Sequence, residues 1–155
     1  MSILLVMSTQ RCSECGASYD VPGDSCAARF DNLLALDHSH QQPWGSRHLI
    51  AVSIYALQHP KRFPAGTVDR SWKVLHRIYV SGDELERVIR ASRRAQSVPL
   101  DWDVPPIPPL PSGYPTMTIA DLGEFAAEKY VALLDAWARA TLTSLGASLE
   151  APHPR

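Results

Sequence analysis

The residues best equipped for chemistry stand near the start of the chain. Cys12-Ser13-Glu14-Cys15-Gly16 sets two thiols two residues apart, a spacing that lets both sulfurs reach one tetrahedral Zn²⁺. The glycine behind the second Cys permits the tight turn that such a knuckle needs, with amide N–H groups directed at sulfur. Cys26 follows where a helix is expected to begin, and a helix N-terminus stabilises a thiolate through its dipole and free amides. Three thiolates leave one position to fill, and a His there closes a Cys₃His structural site. The candidates are His38, His40, His48, His59 and His76. His48 is the first choice because it opens the next helix and can face the Cys26 turn. His59, on the same helical stripe, is the second choice for the fourth ligand. The competing reading is three reduced, buried cysteines with no metal. A thioredoxin-like redox pair fits less well, since no βαβ pattern surrounds the motif.

The elements that must position these groups read as mainly α. A chain of 155 residues suits one domain with one substantial core. The pattern divides that single domain, 1–155, into an irregular Cys knuckle (1–24), a helical core (25–97), a proline-rich connector (98–115) and a C-terminal helix (116–146). Asp24 or Ser25 can cap the first helix, whose apolar positions Phe30, Leu33, Leu34 and Leu36 keep helical spacing. The second runs from about Ser46 to Gln58 and stops before Pro60, because a residue preceding proline avoids the helical region. His48, Val52, Tyr55 and His59 form one stripe of it; two imidazoles and a phenol on one face are either a reactive set or hydrogen-bonded core. Thr67 is expected to cap a third helix with Trp72, Leu75, His76 and Tyr79 inward. Ser81 and Glu84 form an S-x-x-E capping box for a fourth. Arg87, Arg90, Arg93 and Arg94 of that fourth helix make a basic stripe, read mainly as a solvated face. The connector carries Pro99, Pro105, Pro106, Pro108, Pro109, Pro111 and Pro115. It reads as a stiff strap pinned by Trp102, Ile107, Leu110 and Tyr114. Thr118 and Asp121 cap the last helix, with Leu122, Ala126, Tyr130, Leu133 and Trp137 as its buried stripe. A helical bundle is the sum of these parts.

Composition narrows the functional classes. A hydrophobic fraction of 45% with 20% charged residues belongs to a globular protein. A formal net charge of -1 supplies no global field toward nucleic acid or an anionic membrane, although Lys and Arg slightly prevail before Val98 and acidic residues after it. The apolar run Ile3–Met7 is too short for a secretory signal, and no stretch reaches the roughly 20 apolar residues of a membrane span. The expected location is therefore the cytoplasm, whose reducing conditions disfavour a disulfide. Met7 is an alternative start to Met1.

The segment Cys12-Ser13-Glu14-Cys15-Gly16-Ala17, then Cys26, His48 and Tyr55-Ala56-Leu57-Gln58-His59-Pro60 resembles an uncharacterised bacterial family of small proteins. That family carries a C-x-x-C-G-A knuckle before a single Cys and a helix ending in a Y-A-x-Q-H-P box. Val74-Leu75-His76 and the helix from Thr118 to Trp137 resemble later parts of it, so the similarity spans about Arg11 to Gly146. The chain departs from it at Ala27, where Trp is common, and in Leu142–Leu145, which lacks the histidines frequent there. The resemblance implies a shared fold and metal site and supplies no reaction.

Two functions follow as expectations. In the first, zinc is structural and the protein acts by binding an unidentified protein or small molecule. In the second, it is a metal-dependent hydrolase or thiol transferase. There His48, His59 and His76 hold the metal with a water, and Tyr55 or Asp69 serves as acid or base. Nucleic-acid binding through the knuckle and the arginine stripe ranks below both, given the near-neutral charge and the lack of stacking aromatics. No Gly-rich phosphate loop, nucleophile elbow or H-E-x-x-H motif occurs.

Overall fold

The computed structural model describes residues 8–96, 98–109 and 113–149. The question of a start at Met1 or Met7 and the placement of Leu110 lie outside them. Two short strands, β1 (Gln10–Arg11) and β2 (Ser18–Tyr19), pair antiparallel, with Gln10 opposite Tyr19 and Arg11 opposite Ser18. The segment expected to be irregular is thus a small hairpin with the C-x-x-C knuckle as its loop. Five helices follow: α1 (Cys26–His38), α2 (His48–Gln58), α3 (Ala65–Tyr79), α4 (Leu85–Arg94) and α5 (Ala127–Ser144). They form the helical bundle that the periodicity predicts.

The central element is α2. It packs against α3, α5 and α1, and Ile50, Ala51 and Ser53–Gln58 are all buried. A helix apolar all round belongs inside a core rather than at its surface. Around it sit Leu33 of α1, Trp72 and Leu75 of α3, and Tyr130, Leu134 and Trp137 of α5, each at most 2% exposed. Gln58, at the end of α2, donates through its amide to the Met117 carbonyl and to Thr141 Oγ1, both at 2.8 Å. That ties the helix end to α5 through the amide nitrogen, while Gln58 Oε1 has no hydrogen-bond partner among the described residues.

Helix starts differ from expectation where a neighbour overrides the local signal. Ser25 does cap α1, accepting from the Ala28 amide at 3.0 Å. However, α3 begins at Ala65 behind Pro64, two residues ahead of Thr67; proline's fixed φ suits the start of a helix. The Ser81–Glu84 box does not form. Glu84 itself stands before α4 without a side-chain cap, while the Ser81 amide closes the end of α3 on the His76 carbonyl. The Thr118–Asp121 capping box does form, but on the single 3₁₀ turn Ile119–Leu122. Gly123, at φ 61, ends that turn, and α5 starts only at Ala127. Ala126 is accordingly exposed, and Leu134 rather than Leu133 fills the buried stripe.

From 98 to 109 the connector has neither helix nor strand and is tied to α3 through its carbonyls. Trp72 Nε1 donates to the Pro105 carbonyl and Lys73 Nζ to the Leu100 carbonyl, each at 2.8 Å. Trp102 is half-buried, whereas Tyr114 is largely exposed at 48%. Among the described residues no helix is long and apolar enough to cross a membrane.

Candidate metal centre

The sulfurs of Cys12, Cys15 and Cys26 and one ring nitrogen of His59 all lie within 4.8 Å of one another. Three pieces of chain bring them there. The hairpin supplies two thiols: the Cys12 amide donates to the Ala17 carbonyl at 2.8 Å and the Gly16 amide to the Cys12 carbonyl at 2.9 Å. That turn requires φ 81 at Gly16, a conformation in which a side chain is strained. Helix α1 presents Cys26 in its first turn, directly behind the Ser25 cap.

His59 comes from the end of α2. Pro60 lacks the amide that would continue the helix and drives His59 out of helical geometry, to φ -131 and ψ 54. The chain turns there so that the His59 backbone N–H and its ring Nδ1–H both donate to the Tyr55 carbonyl, at 2.9 and 3.0 Å. With Nδ1 so engaged, Nε2 is left as the free nitrogen, and it is buried without a hydrogen-bond partner. The Tyr55 ring stacks on the imidazole at 4.1 Å and on Phe30 at 3.8 Å, so the ring orientation is fixed from both ends. A metal-ligating His whose other nitrogen is held by a backbone carbonyl is a common arrangement of outer-shell support.

The donor set fits a tetrahedral ion. Bonds of about 2.3 Å to sulfur and about 2.0 Å to nitrogen put neighbouring ligand atoms about 3.5–3.8 Å apart. Cys15 and Cys26 Sγ stand 3.5 Å apart. Tyr19 Oη lies 3.0 Å from Cys26 Sγ, placed to donate to a thiolate there. The hydrogen bond with Cys15, helped by His59 and Tyr19, lowers Cys26 to about 4 against the opposing effect of burial. The same bond, together with burial, pushes Cys15 upward, opposed by the Ala17 amide. Burial and the neighbouring Cys26 raise Tyr19, so it keeps its proton for donation. Cys12 is the half-buried member. Arg62 reaches toward it, with Nη2 at 4.0 Å from Sγ, Nη1 at 2.7 Å from Tyr55 Oη and Nε at 3.7 Å from Glu14. A cation beside a thiolate-rich centre offsets its net negative charge.

The other candidate ligands lie elsewhere. His48 does open α2, but its Nδ1 sits 2.9 Å from Asp37 Oδ2 at the far end of that helix, and it is not part of the cluster. Eleven residues separate it from His59, three turns along α2. His76 lies against Trp72 with ring centroids 5.5 Å apart, and burial followed by the Arg77 charge lowers its pKa. His38 and His40 are exposed. Asp69 is paired with Lys73 at 2.9 Å. Among the described residues, His48, His59 and His76 do not gather around one point, and the Cys₃His set is the one group of three or more ligating side chains at metal-binding reach. The residues that sequence reasoning missed are the supports. Tyr19 and Arg62 carry no spacing signal; Tyr55, which shares a stripe of α2 with His59 and was a candidate acid or base, instead stacks on the imidazole and takes its Nδ1–H on its carbonyl.

Fold and site together define a helical-bundle domain whose N-terminal hairpin docks on two helix ends to form a Cys₃His cluster able to hold a metal. The chain belongs to DUF5946, a family of unknown function, whose model matches residues 10–146. That span contains all four cluster residues. No curated protein and no solved structure matches the chain.

Proposed function

We propose that the cluster holds one structural Zn²⁺ through Cys12, Cys15, Cys26 and His59, and that the protein works by presenting the surface so stabilised to a binding partner. The observation carrying this reading is His59 Nε2, fully buried among three sulfurs with no hydrogen-bond partner. A buried nitrogen left bare costs free energy, and a cation at that point removes the cost. Three sulfurs and one nitrogen complete a tetrahedral shell and leave no position for substrate. That favours a structural ion over a catalytic one. The protein belongs in a reducing compartment, where the thiols stay available to metal.

Two measurements test this. Metal analysis of the untagged protein should return about one zinc per chain, lost in a Cys12→Ser, Cys15→Ser variant together with thermal stability. Cobalt substitution should give the intense visible bands of a tetrahedral thiolate site. A metal-free wild type whose stability equals that of the variant would sink the zinc reading.

A further inference from the structure

A second site lies at the opposite end of α2. Asp37, in the last turn of α1, has a side chain only 1% exposed, and its Oδ2 accepts a hydrogen bond from His48 Nδ1–H at 2.9 Å. The His48 side chain is 44% exposed. A buried carboxylate behind a half-exposed imidazole fixes the tautomer and leaves Nε2 as the nitrogen turned outward. Burying that carboxylate is costly: its other oxygen, Oδ1, has no hydrogen-bond partner among the described residues. A mere tie between two helices does not require a charge.

His48 lines a cleft of about 520 Å³ between the Gly45–Leu49 turn and α4, a volume usual for small-molecule sites. Arg47, Arg70, Arg90 and Arg93 also line it, against one carboxylate, Glu86, and its apolar wall is Leu49, Leu85 and Ile89. Arg70 is spent on structure: it donates to the carbonyls of Ser92, Ala95 and Val98 and so fastens the end of α4 to α3. Among the described residues, Arg47, Arg90 and Arg93 take part in no ion pair. The arginine stripe of α4 is therefore more than a solvated face on this side; it forms one wall of a concave site holding an oriented imidazole.

We propose that this cleft binds a phosphate monoester with an apolar or aromatic body, its phosphate between His48 Nε2 and the guanidinium groups of Arg90 and Arg93. Guanidinium forks match phosphate oxygens. A phosphate monoester carries close to two charges at neutral pH and three strong acceptor oxygens, enough to engage the Arg90 and Arg93 forks and the His48 ring edge together. A carboxylate brings one charge and two oxygens, so it satisfies fewer of these groups. Leu49, Leu85 and Ile89 give the ester's body an apolar wall.

The test is ¹⁵N-histidine NMR on the full chain as purified, titrated with phenyl phosphate, with the His48 ring signals assigned by their loss in His48→Gln. The expected result is a saturable shift of the His48 signals at millimolar phenyl phosphate. Binding should weaken roughly tenfold or more in Arg90→Glu, Arg93→Glu, since each charge-assisted bond lost is a large fraction of a millimolar affinity. Both arginines are exposed on α4, so that variant keeps its fold, checked by an unchanged melting curve. Benzoate should bind at least about tenfold more weakly than phenyl phosphate. Absence of a saturable shift, the same affinity in the arginine variant, equal binding of benzoate, or reproduction of the shift by sodium chloride would each overturn the proposal.

Discussion

The fourth ligand is the point at which the metal reading is most exposed, and His59→Asn isolates it. Structural zinc sites bind with apparent free energies of about 10–16 kcal/mol at neutral pH. Divided over four ligands, one ligand is worth about 3 kcal/mol, or on the order of 10²-fold in affinity. The structure argues for a loss of this size rather than a smaller one. His59 is fully buried, and no other described His lies within reach to replace it. Asn is short enough to enter the His59 site and retains an amide that can donate to the Tyr55 carbonyl, so the helix end should survive. Affinity is read by competition with a chromogenic zinc chelator on the folded protein, and folding is checked separately by near-UV circular dichroism. The companion variant is His48→Asn. It should leave zinc affinity within about twofold and keep the fold, because the Asn amide can still donate to the buried Asp37. Wild-type affinity in His59→Asn, or an equal loss in His48→Asn, would refute the assignment.

Other perturbations read the surroundings of the site. Arg62→Met removes the cation 4.0 Å from Cys12 Sγ and should weaken zinc binding by about 10-fold, measured by the same competition, with a smaller effect at high salt. Gly16→Ala should cost about 1–3 kcal/mol in urea melts, because Gly16 sits at φ 81 and a Cβ there would lie 2.6 Å from the Tyr114 ring. Adding Tyr114→Ala should recover the steric part and not the conformational part. Tyr130→Phe deletes a buried hydroxyl with no hydrogen-bond partner among the described residues and should change stability at pH 7 by less than about 1 kcal/mol. Burial, then the nearby Asp37 charge, raises the Tyr130 pKa above its ordinary value near 10. A raised acid contributes its stability below the unfolded pKa and loses it as pH climbs past 10. Stability curves should therefore fall less steeply above pH 10 in Tyr130→Phe than in the wild type.

Much of the fold is legible because its signals are local. The cap at Ser25, the stop at Pro60 and the helical spacing of the apolar positions in α1 each specify backbone geometry within a few residues. The misplaced starts have one origin: a capping pattern states that a turn can begin, not how far it will run. Thr118 and Asp121 close their box faithfully, and then Gly123 at positive φ and Phe125 in the same region break the helix before α5. The three cysteines are legible as a set because thiol spacing reflects ligand geometry directly. The fourth position is not, since it depends on which end of α2 meets the hairpin. His48 and His59 share a face and differ by three turns, and periodicity identifies a face without identifying an end. What discriminates is Pro60: by stopping the helix it turns the His59 ring back onto the Tyr55 carbonyl and frees Nε2.

The two ends of α2 carry different chemistry, and helix electrostatics accounts for the division. Unsatisfied carbonyls make a C-terminus partly negative, which suits the ligand of a cation; unsatisfied amides make an N-terminus partly positive, which suits anions. His59 stands at the C-terminal end of α2, and Cys26, whose thiolate gains from free amides, stands at the N-terminal end of α1. A zinc ion held between them would bind one helix through its negative end and the other through a thiolate that the positive end stabilises. At the opposite end of α2, His48 lies in the first turn beside Arg47 and faces α4 across the cleft, where the same dipole adds to the arginines in favouring a phosphate. Both assignments then make a joint demand. Stripping zinc should loosen the hairpin and the Cys26 turn, while the Asp37–His48 pair, built on helix–helix packing, should keep its phosphate affinity. Equal loss at both ends on zinc removal would show that α2 itself depends on the metal and that the two sites are not separable.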